Sequence, residues 1–498
     1  MRPAPLAALL ALAALGPACL YSPKGRCDAA ADCAAGESCD GGVCVADAKQ
    51  TGGGSGGGVD PTSFTTVAWS RLDGRAGTTF HPDSIGADLA GNVVVAGALE
   101  GSYDFGPTPV TTGAFAVQLA AGSGAPVWAR PFPTFSDGRF RTAVLPGGDV
   151  LFAGAAVDPT SLDVLYTPGP GGSLLVGRLA AGAGAVTWTR EIPSTGAAAT
   201  PLVPVALATH GADLLVAGTG SGDFGCGADT ASAAFVASLS AADGSCVWSR
   251  GLATRTLSDL EPSDTGEVAI AGLCTPSAAS FDPGGGTTCT KGLFVAVLGA
   301  TGQTVWARTT SGAGQVTAVR DLAVAPDGSA TVAGDATGIV GFGGAALDFG
   351  AADGSFAATW GPAGAPGAVV RPIEAPYAQQ PDAAVFSRCA YDRKGKLWLA
   401  GRYLGQPTLG GIRFTSCRPP GCLAAAFLAR LDASGNVNPF LPLLAAPDAD
   451  GSAFADDLVL FATTGTVTLG LRFSGTAKVG GATWTGVAGD LGTLQVVP

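Results

Sequence analysis

A repeat of about sixty residues constrains this chain more than any other feature, and it extends from residue 64 to the C-terminus. Its first landmark is a short apolar segment in which Trp precedes Arg by two positions, as in VAWSR and PVWAR. The intervals between successive copies are 59, 60, 60 and 58 residues. The tryptophans of these copies are Trp69, Trp128, Trp188, Trp248 and Trp306. Decayed copies remain in GAVVRP, which contains Arg371, and near NPFLPL.

Two further landmarks complete the repeat. One is a turn followed by an apolar run that ends in glycine, as in DLAGNVVVAG, and each such turn predicts a β-hairpin. Its seven copies end at Gly97, Gly154, Gly218, Gly272, Gly334, Gly401 and Gly470. The other is an aromatic-led strand, as in AFAVQL or AFLARL, which precedes the next Trp segment. One period therefore holds four short strands.

Four antiparallel strands per repeat are typical of a β-propeller blade, so the sequence predicts an all-β, seven-bladed propeller. Six or eight blades remain open, because the sixth and seventh copies are longer and degraded. The chain enters the repeat on the Trp69 strand and ends on an aromatic strand. We therefore expect the Trp69 strand to complete the last blade and close the ring, which removes an exposed sheet edge.

The pattern resembles the seven-bladed, or delta-sixty, repeats of bacterial surface proteins. The resemblance covers residues 64–498 and implies the propeller fold without implying any single activity.

The N-terminus reads as an export signal. Residues 1–18 carry one basic residue, Arg2, and a short apolar run, which together are typical of a signal peptide. The following LGPAC is similar to the lipobox of bacterial lipoproteins, which implies a lipid on Cys19. It departs from the usual pattern because Gly16 stands where a leucine is expected, and Leu15 lies one position too early. Ordinary cleavage that leaves Cys19 unmodified is the alternative, and the protein would then be secreted rather than anchored to the outer membrane or cell surface.

Residues 19–47 form a Cys-rich segment, and a flexible Gly/Ser linker follows at 48–63. We expect two disulfides in the first segment, since four cysteines in 18 residues cannot enclose an apolar core. Four thiolates on zinc are the rival interpretation. The cysteines concerned are Cys27, Cys33, Cys39 and Cys44, with three pairings possible. The spacing is similar to short modules near the N-termini of myxobacterial surface lipoproteins.

Six of the seven cysteines within the repeats are expected to pair locally. The pairs are Cys226 with Cys246, Cys274 with Cys289, and Cys417 with Cys422. Cys389 is left over, and we expect it to be buried as a small apolar side chain.

Composition excludes one class of partner and permits others. The net charge is −12, from 27 basic and 39 acidic residues, which argues against nucleic-acid binding. It argues equally against a basic membrane-binding patch. No later segment is long and apolar enough to span a bilayer, so we expect membrane attachment through the lipid alone. The expected partner is an unidentified protein or glycan, and the chain is expected to be a monomer.

Several residues invite a functional interpretation but recur at fixed repeat positions. The tryptophans are expected to pack between blades. The aspartates of the DFG and FDPG turns are expected to bond local backbone. These are Asp104, Asp223, Asp282 and Asp348. The acidic segment DADGSAFADD suggests a calcium loop, with an ordinary acidic loop as the alternative. Its aspartates are Asp448, Asp450, Asp456 and Asp457.

The two histidines are expected in different blades, His81 in a loop between blades and His210 in a hairpin turn, so they cannot share a metal ion. We assign no catalytic, cofactor-binding or metal-binding residue. The sequence favours a non-catalytic binding scaffold anchored to the cell envelope. A glycan hydrolase or lyase with paired carboxylates at the propeller funnel is the alternative. A quinone-dependent redox protein is a third interpretation, since ATGQTVW is similar to the tryptophan-docking motif of quinoproteins.

Overall fold

A computed structural model describes residues 37–40, 43–46 and most of 66–497. The longest undescribed segments within the repeats are 373–382, 414–424 and 443–453. The chain divides into two units, residues 1–57 and 58–498. In the first unit β1 (Glu37–Asp40) and β2 (Val43–Ala46) form a hairpin. Its register places Cys39 directly opposite Cys44.

The second unit is built from seven four-stranded antiparallel sheets. The first strand of each blade contacts the first strands of both neighbouring blades, which closes the ring around an axis. The strands, in blade order, are as follows. Blade 1 contains β4 (Thr79–Ala87), β5 (Val93–Asp104), β6 (Pro109–Leu119) and β7 (Pro126–Phe132). Blade 2 contains β8 (Phe140–Val144), β9 (Val150–Ala156), β12 (Ser173–Leu179) and β13 (Val186–Pro193), with a side hairpin of β10 (Thr160–Leu162) and β11 (Val164–Tyr166). Blade 3 contains β14 (Val203–His210), β15 (Asp213–Thr219), β16 (Ala234–Ser240) and β17 (Cys246–Leu252).

The remaining blades follow the same order. Blade 4 contains β18 (Thr256–Pro262), β19 (Val268–Cys274), β20 (Gly292–Leu298) and β21 (Thr304–Thr309). Blade 5 contains β22 (Gln315–Val324), β23 (Ala330–Thr337), β26 (Gly354–Trp360) and β27 (Pro366–Val370), with a side hairpin of β24 (Ile339–Gly341) and β25 (Ala346–Asp348). Blade 6 contains β28 (Ala383–Tyr391), β29 (Leu397–Leu404), β32 (Ala425–Leu431) and β33 (Val437–Pro442), with a side hairpin of β30 (Thr408–Leu409) and β31 (Ile412–Arg413). Blade 7 contains β34 (Phe454–Ala462), β35 (Val467–Val479), β36 (Ala482–Val497) and β3 (Thr66–Asp73).

The order within blade 7 confirms the predicted closure. Strand β3 pairs antiparallel with β36, so the first repeat strand of the chain supplies the fourth strand of the last blade. The indole Nε1 of Trp69 donates to Gln495 Oε1 at 3.1 Å in blade 7 and to Ala121 O at 2.9 Å in blade 1. One side chain therefore ties the closing strand to both of the blades that it joins.

The three repeat landmarks occupy fixed places in a blade. The repeat glycine of the second strand pairs directly with the aromatic residue of the third, as Gly218 does with Phe235 and Gly272 with Phe294. A Cβ atom at Gly218 would lie 2.3 Å from Val203 O and 2.5 Å from the Phe235 ring. The aromatic ring therefore fills the space that a larger residue would need. The Trp segment forms the outermost strand, and the decayed copies keep that position as β27 and β33.

The apolar core is distributed between blades rather than gathered at one centre. Among the described residues, the buried side chains form seven clusters, and each cluster draws its members from two neighbouring blades. Burial of apolar area is the main stabilising contribution, so every blade depends on both of its neighbours. No helix that could cross a bilayer occurs in the part of the chain that the structure describes.

Candidate functional site

The innermost strands surround an axial channel with a volume of about 840 Å³. An innermost strand has one unpaired edge, and the free backbone groups of that edge face the channel. Two layers of residues line it, each with one residue per blade. The first layer consists of the residues that pair with the residue just before each repeat glycine. We call it the charged layer because four of its seven members are charged. It comprises Ser84, Arg141, Ala206, Asp259, Asp321, Arg388 and Leu460.

Oxygen atoms of the charged layer satisfy backbone amides of the following blade. Asp259 Oδ2 accepts from Leu322 N at 2.8 Å, and Asp321 Oδ2 accepts from Cys389 N at 2.6 Å. Ser84 Oγ accepts from Thr142 N at 3.0 Å in the same way. A backbone amide without a partner is costly when buried, so these side chains stabilise the joints between innermost strands.

Two carboxyl groups of this layer share a site. Asp259 and Asp321 lie close enough for each carboxyl group to shift the pKa of the other. Enclosure within the ring raises the pKa of Asp321 to about 8, while the Arg388 guanidinium lowers it and the Asp259 carboxyl raises it. Enclosure is also the main cause of the raised pKa of Asp259. Arg388 Nη1 donates to Asp321 Oδ1 at 3.3 Å and to Arg320 O at 3.0 Å.

A second charged group spans three blades. Arg141 Nη1 lies 2.9 Å from Asp83 Oδ1 in blade 1, and its Nε donates to Val205 O at 2.9 Å in blade 3. Arg141 with Asp83 and Arg388 with Asp321 thus each join neighbouring blades.

The recurring tryptophans lie at the joints between blades, which confirms their predicted packing role. Trp128 Nε1 donates to Ala181 O at 2.8 Å, and Trp306 Nε1 donates to Pro362 O at 2.7 Å. The DFG turns are local, as predicted. In three of them the aspartate Oδ1 accepts a hydrogen bond of 2.8–2.9 Å from the amide two residues later, namely at Asp104, Asp223 and Asp348.

The cysteine assignments fall partly within the described residues. Disulfides join Cys226 to Cys246 and Cys274 to Cys289, with Cα separations of 5.8 and 5.9 Å. Cys389 is a free, buried thiol, and enclosure raises its pKa well above the ordinary value. The assignments for Cys19, Cys27, Cys33, Cys417 and Cys422 lie outside the described residues, as do Asp448 and Asp450.

Two placements predicted from sequence are wrong. His81 lies within β4, the innermost strand of blade 1, rather than in a loop between blades, because the strand continues through HPDS with a bulge after Pro82. Asp456 and Asp457 lie within β34 rather than in a loop. His210 ends β14 at a hairpin turn, as expected, and lies two blades from His81. Among the described residues, no three His, Cys, Asp or Glu side chains are grouped to hold a metal ion.

The two ends of the channel differ in their loops. Turns from the first strand to the second, such as 88–92, are short and lie at one end, here called the tight-turn end. Connections from the second strand to the third start at the other end, here called the long-connection end. Five of these connections carry paired extensions, in blades 1, 2, 5, 6 and 7. The connections of blades 3 and 4 carry the two disulfides instead.

Strand order, closure and channel define the class of this chain as a seven-bladed β-propeller. No protein-family model matches its sequence, and no curated protein does so. Solved propellers with low similarity include the WD40 repeats of RRP9, with 10% identity, a TM-score of 0.46, and coverage of 87% of this chain and 99% of that one. BamB from Moraxella catarrhalis has 12% identity and a TM-score of 0.36, covering 85% and 100%. Quinohemoprotein alcohol dehydrogenase from Comamonas testosteroni has 10% identity and a TM-score of 0.38, covering 86% and 76%. Similarity this low carries no information about the activity of this chain.

Proposed function

We propose that this chain is an exported lipoprotein, attached to the cell envelope through Cys19, whose propeller is a non-catalytic scaffold that binds a protein or glycan at its long-connection end. The observation that carries the proposal is the reinforcement of that end. Within the described residues, five of the second-to-third connections carry a paired extension, and that of blade 4 carries the Cys274–Cys289 disulfide. The connection of blade 3 is instead tied by Cys226 to Cys246 at the start of the outermost strand. Rigid loops on a rigid ring lose little entropy on binding, which is what a recognition surface requires.

Exposed apolar side chains on the same connections support this assignment. Val157 begins the connection of blade 2 and is 46% exposed, and Ile339 in β24 is 49% exposed. These two residues lie in blades 2 and 5, and each gives its connection an apolar group that a partner can cover. Leu89 at the tight-turn end is 70% exposed and offers a matched control.

The binding test compares two faces of one molecule. Labelled chain is applied to arrayed glycans and to isolated envelope components of the producing cells, with hydrolysis of the same substrates measured in parallel. We expect saturable binding that Val157→Asp and Ile339→Asp weaken and Leu89→Asp leaves unchanged. Turnover of a glycan or ester by the chain, abolished by Asp321→Asn, would instead establish an enzyme.

The anchoring test is separate. Mass analysis of the N-terminus from the membrane fraction should show a lipid-modified Cys19. The Cys19→Ala variant should then move to the soluble fraction without any change in binding. An unmodified N-terminus in wild-type protein would refute the anchor and leave the binding proposal intact.

A further inference from the structure

The second layer of the channel holds one acidic residue among six small ones. This small-residue layer lies two positions further along each innermost strand than the charged layer. It comprises Gly86, Ala143, Ala208, Glu261, Ala323, Ala390 and Ala462, all of which line the channel. Glu261 is partly exposed and is the one charged side chain at this level of the described channel wall.

Glu261 is also the channel carboxyl group without a bonding partner. Among the described residues, Asp83, Asp259 and Asp321 each form a hydrogen bond or ion pair, and Glu261 forms none. Its side chain is partly exposed at the channel wall, so a ligand in the channel can reach the carboxyl group.

The charges around Glu261 are predominantly acidic. Enclosure raises its pKa well above the ordinary value, and Asp259 on the same strand and Asp321 on β22 raise it further. The cations nearby belong to other groups. Arg320 on β22 pairs with Asp335 at 2.6 Å, and Arg388 on β28 bonds to Asp321. The stretch 203–209 of β14, on the other side of β18, carries no charged residue.

The channel between Glu261 and the tight-turn end is lined by uncharged residues. One position beyond the small-residue layer, the described lining residues are Val144, Thr209, Pro262, Val324 and Tyr391. Each is partly exposed, so this neck is accessible from the channel. Three of these five residues, Val144, Pro262 and Val324, are apolar, and we call this stretch the apolar neck. Such a neck leading to a carboxyl group matches an ammonium group carried on an alkyl stem.

We propose that the channel binds an alkylammonium ligand, which enters from the tight-turn end, places its cation at Glu261 and lays its stem along the apolar neck. The site goes beyond the proposed scaffold function and lies at the opposite end of the ring. The raised pKa of Glu261 favours its protonated form in the free chain, and a cationic ligand favours its carboxylate form. A proton lost on binding goes to solvent, and the carboxylate pairs with the ammonium group without any covalent change.

The experiment is calorimetry of the purified chain with pentylammonium chloride near pH 6.5, in two buffers that differ in ionisation enthalpy. We expect saturable binding accompanied by proton release, which makes the measured heat depend on the buffer. The uncharged analogue 1-pentanol should bind at least about tenfold more weakly, since it cannot form the charge-assisted hydrogen bond.

Variants separate the site from unspecific association. Glu261→Gln keeps the shape of the protonated side chain and should weaken pentylammonium binding at least about tenfold and abolish proton release. Ala390→Leu fills the layer without changing charge and should also weaken binding. Glu100→Gln, on a side chain that is 74% exposed, is the control and should leave binding unchanged. Absence of saturable binding, or equal binding by 1-pentanol or by Glu261→Gln, would overturn the proposal.

Discussion

The indole ring of Trp128 in blade 1 lies directly against Gly184 in blade 2, where a Cβ atom would be only 2.7 Å from Cε3 of the ring. Arg130, two residues after the tryptophan, donates from Nη1 to Gly184 O at 3.1 Å. The tryptophan and the arginine of the Trp segment thus both contact one turn of the next blade. The same Trp–Gly contact occurs at four other joints, with Gly124, Gly244, Gly302 and Gly364.

This contact predicts that Trp128 stabilises the ring far more than its position on an outer strand suggests. Trp128 is 6% exposed, and Trp128→Ala should lower the free energy of unfolding by about 3–5 kcal/mol. Trp128→Phe keeps part of the ring contact and loses the hydrogen bond to Ala181 O, so its cost should be smaller. The adjacent Val127 is 45% exposed, and Val127→Ala is the control. Denaturant unfolding measures all three, and equal costs for Trp128→Ala and Val127→Ala would contradict the docking role.

A second prediction concerns the repeat glycine. A Cβ atom at Gly272 would lie 2.2 Å from Thr256 O and 2.7 Å from the Phe294 ring, and the carbonyl belongs to the backbone and cannot turn aside. Gly272→Ala should therefore cost about 3 kcal/mol or more, since it forces the first and second strands of blade 4 apart. At Gly182 nothing lies within 4 Å of a new Cβ, so Gly182→Ala should change stability little. Similar melting temperatures for the two variants would show that the glycine is dispensable.

The Asp259–Asp321 pair predicts a dependence of stability on pH. Asp321 has a pKa of about 8 in the folded chain, against about 3.9 for an unfolded aspartate. Between these values the folded state holds more protons than the unfolded state, so stability falls as the pH rises. Asp259→Asn removes one of the two like charges and supplies an amide donor to Asp321. The loss of stability between pH 5 and pH 8 should then shrink by about 1–3 kcal/mol.

Unfolding of Asp259→Asn and wild type at several pH values measures this difference. Glu100→Gln changes an exposed carboxyl group and should follow the wild-type curve. If the free energy of unfolding changed with pH equally in Asp259→Asn and wild type, Asp259 would have no effect on the ionisation of Asp321.

Much of the fold could be predicted from sequence because its landmarks have direct steric causes. The repeat glycine and the aromatic residue are cross-strand partners, and the Trp segment docks on the next blade, so each recurs at a fixed interval. Blades 5 and 6 keep their outer strands without the Trp landmark, because the hydrogen bonds of β27 and β33 need no particular side chain. The count of seven followed from the glycines alone.

The channel residues could not be recognised in the same way. The charged layer holds serine, arginine, alanine, aspartate and leucine at one structural position, so no motif marks it. A signal did exist, since Asp259, Asp321 and Arg388 each lie 13 residues before their repeat glycine. Only the closed ring shows that these positions meet at one level of one channel. The sequence interpretation of His81 was wrong for a related reason, since FHPDS contains a proline and resembles a loop, while a bulge lets the strand continue.

The central claim is that the chain is one closed ring completed by the Trp69 strand. The most direct measurement compares the thermal unfolding of two shortened chains, one lacking residues 19–60 and one lacking residues 19–72. The first retains every residue of β3, and we predict that it unfolds at the same temperature as the full chain. The second leaves the edge of β36 unpaired and removes the Trp69 contacts with both blades, so it should unfold at a clearly lower temperature. Equal unfolding temperatures for the two shortened chains would contradict closure by this strand.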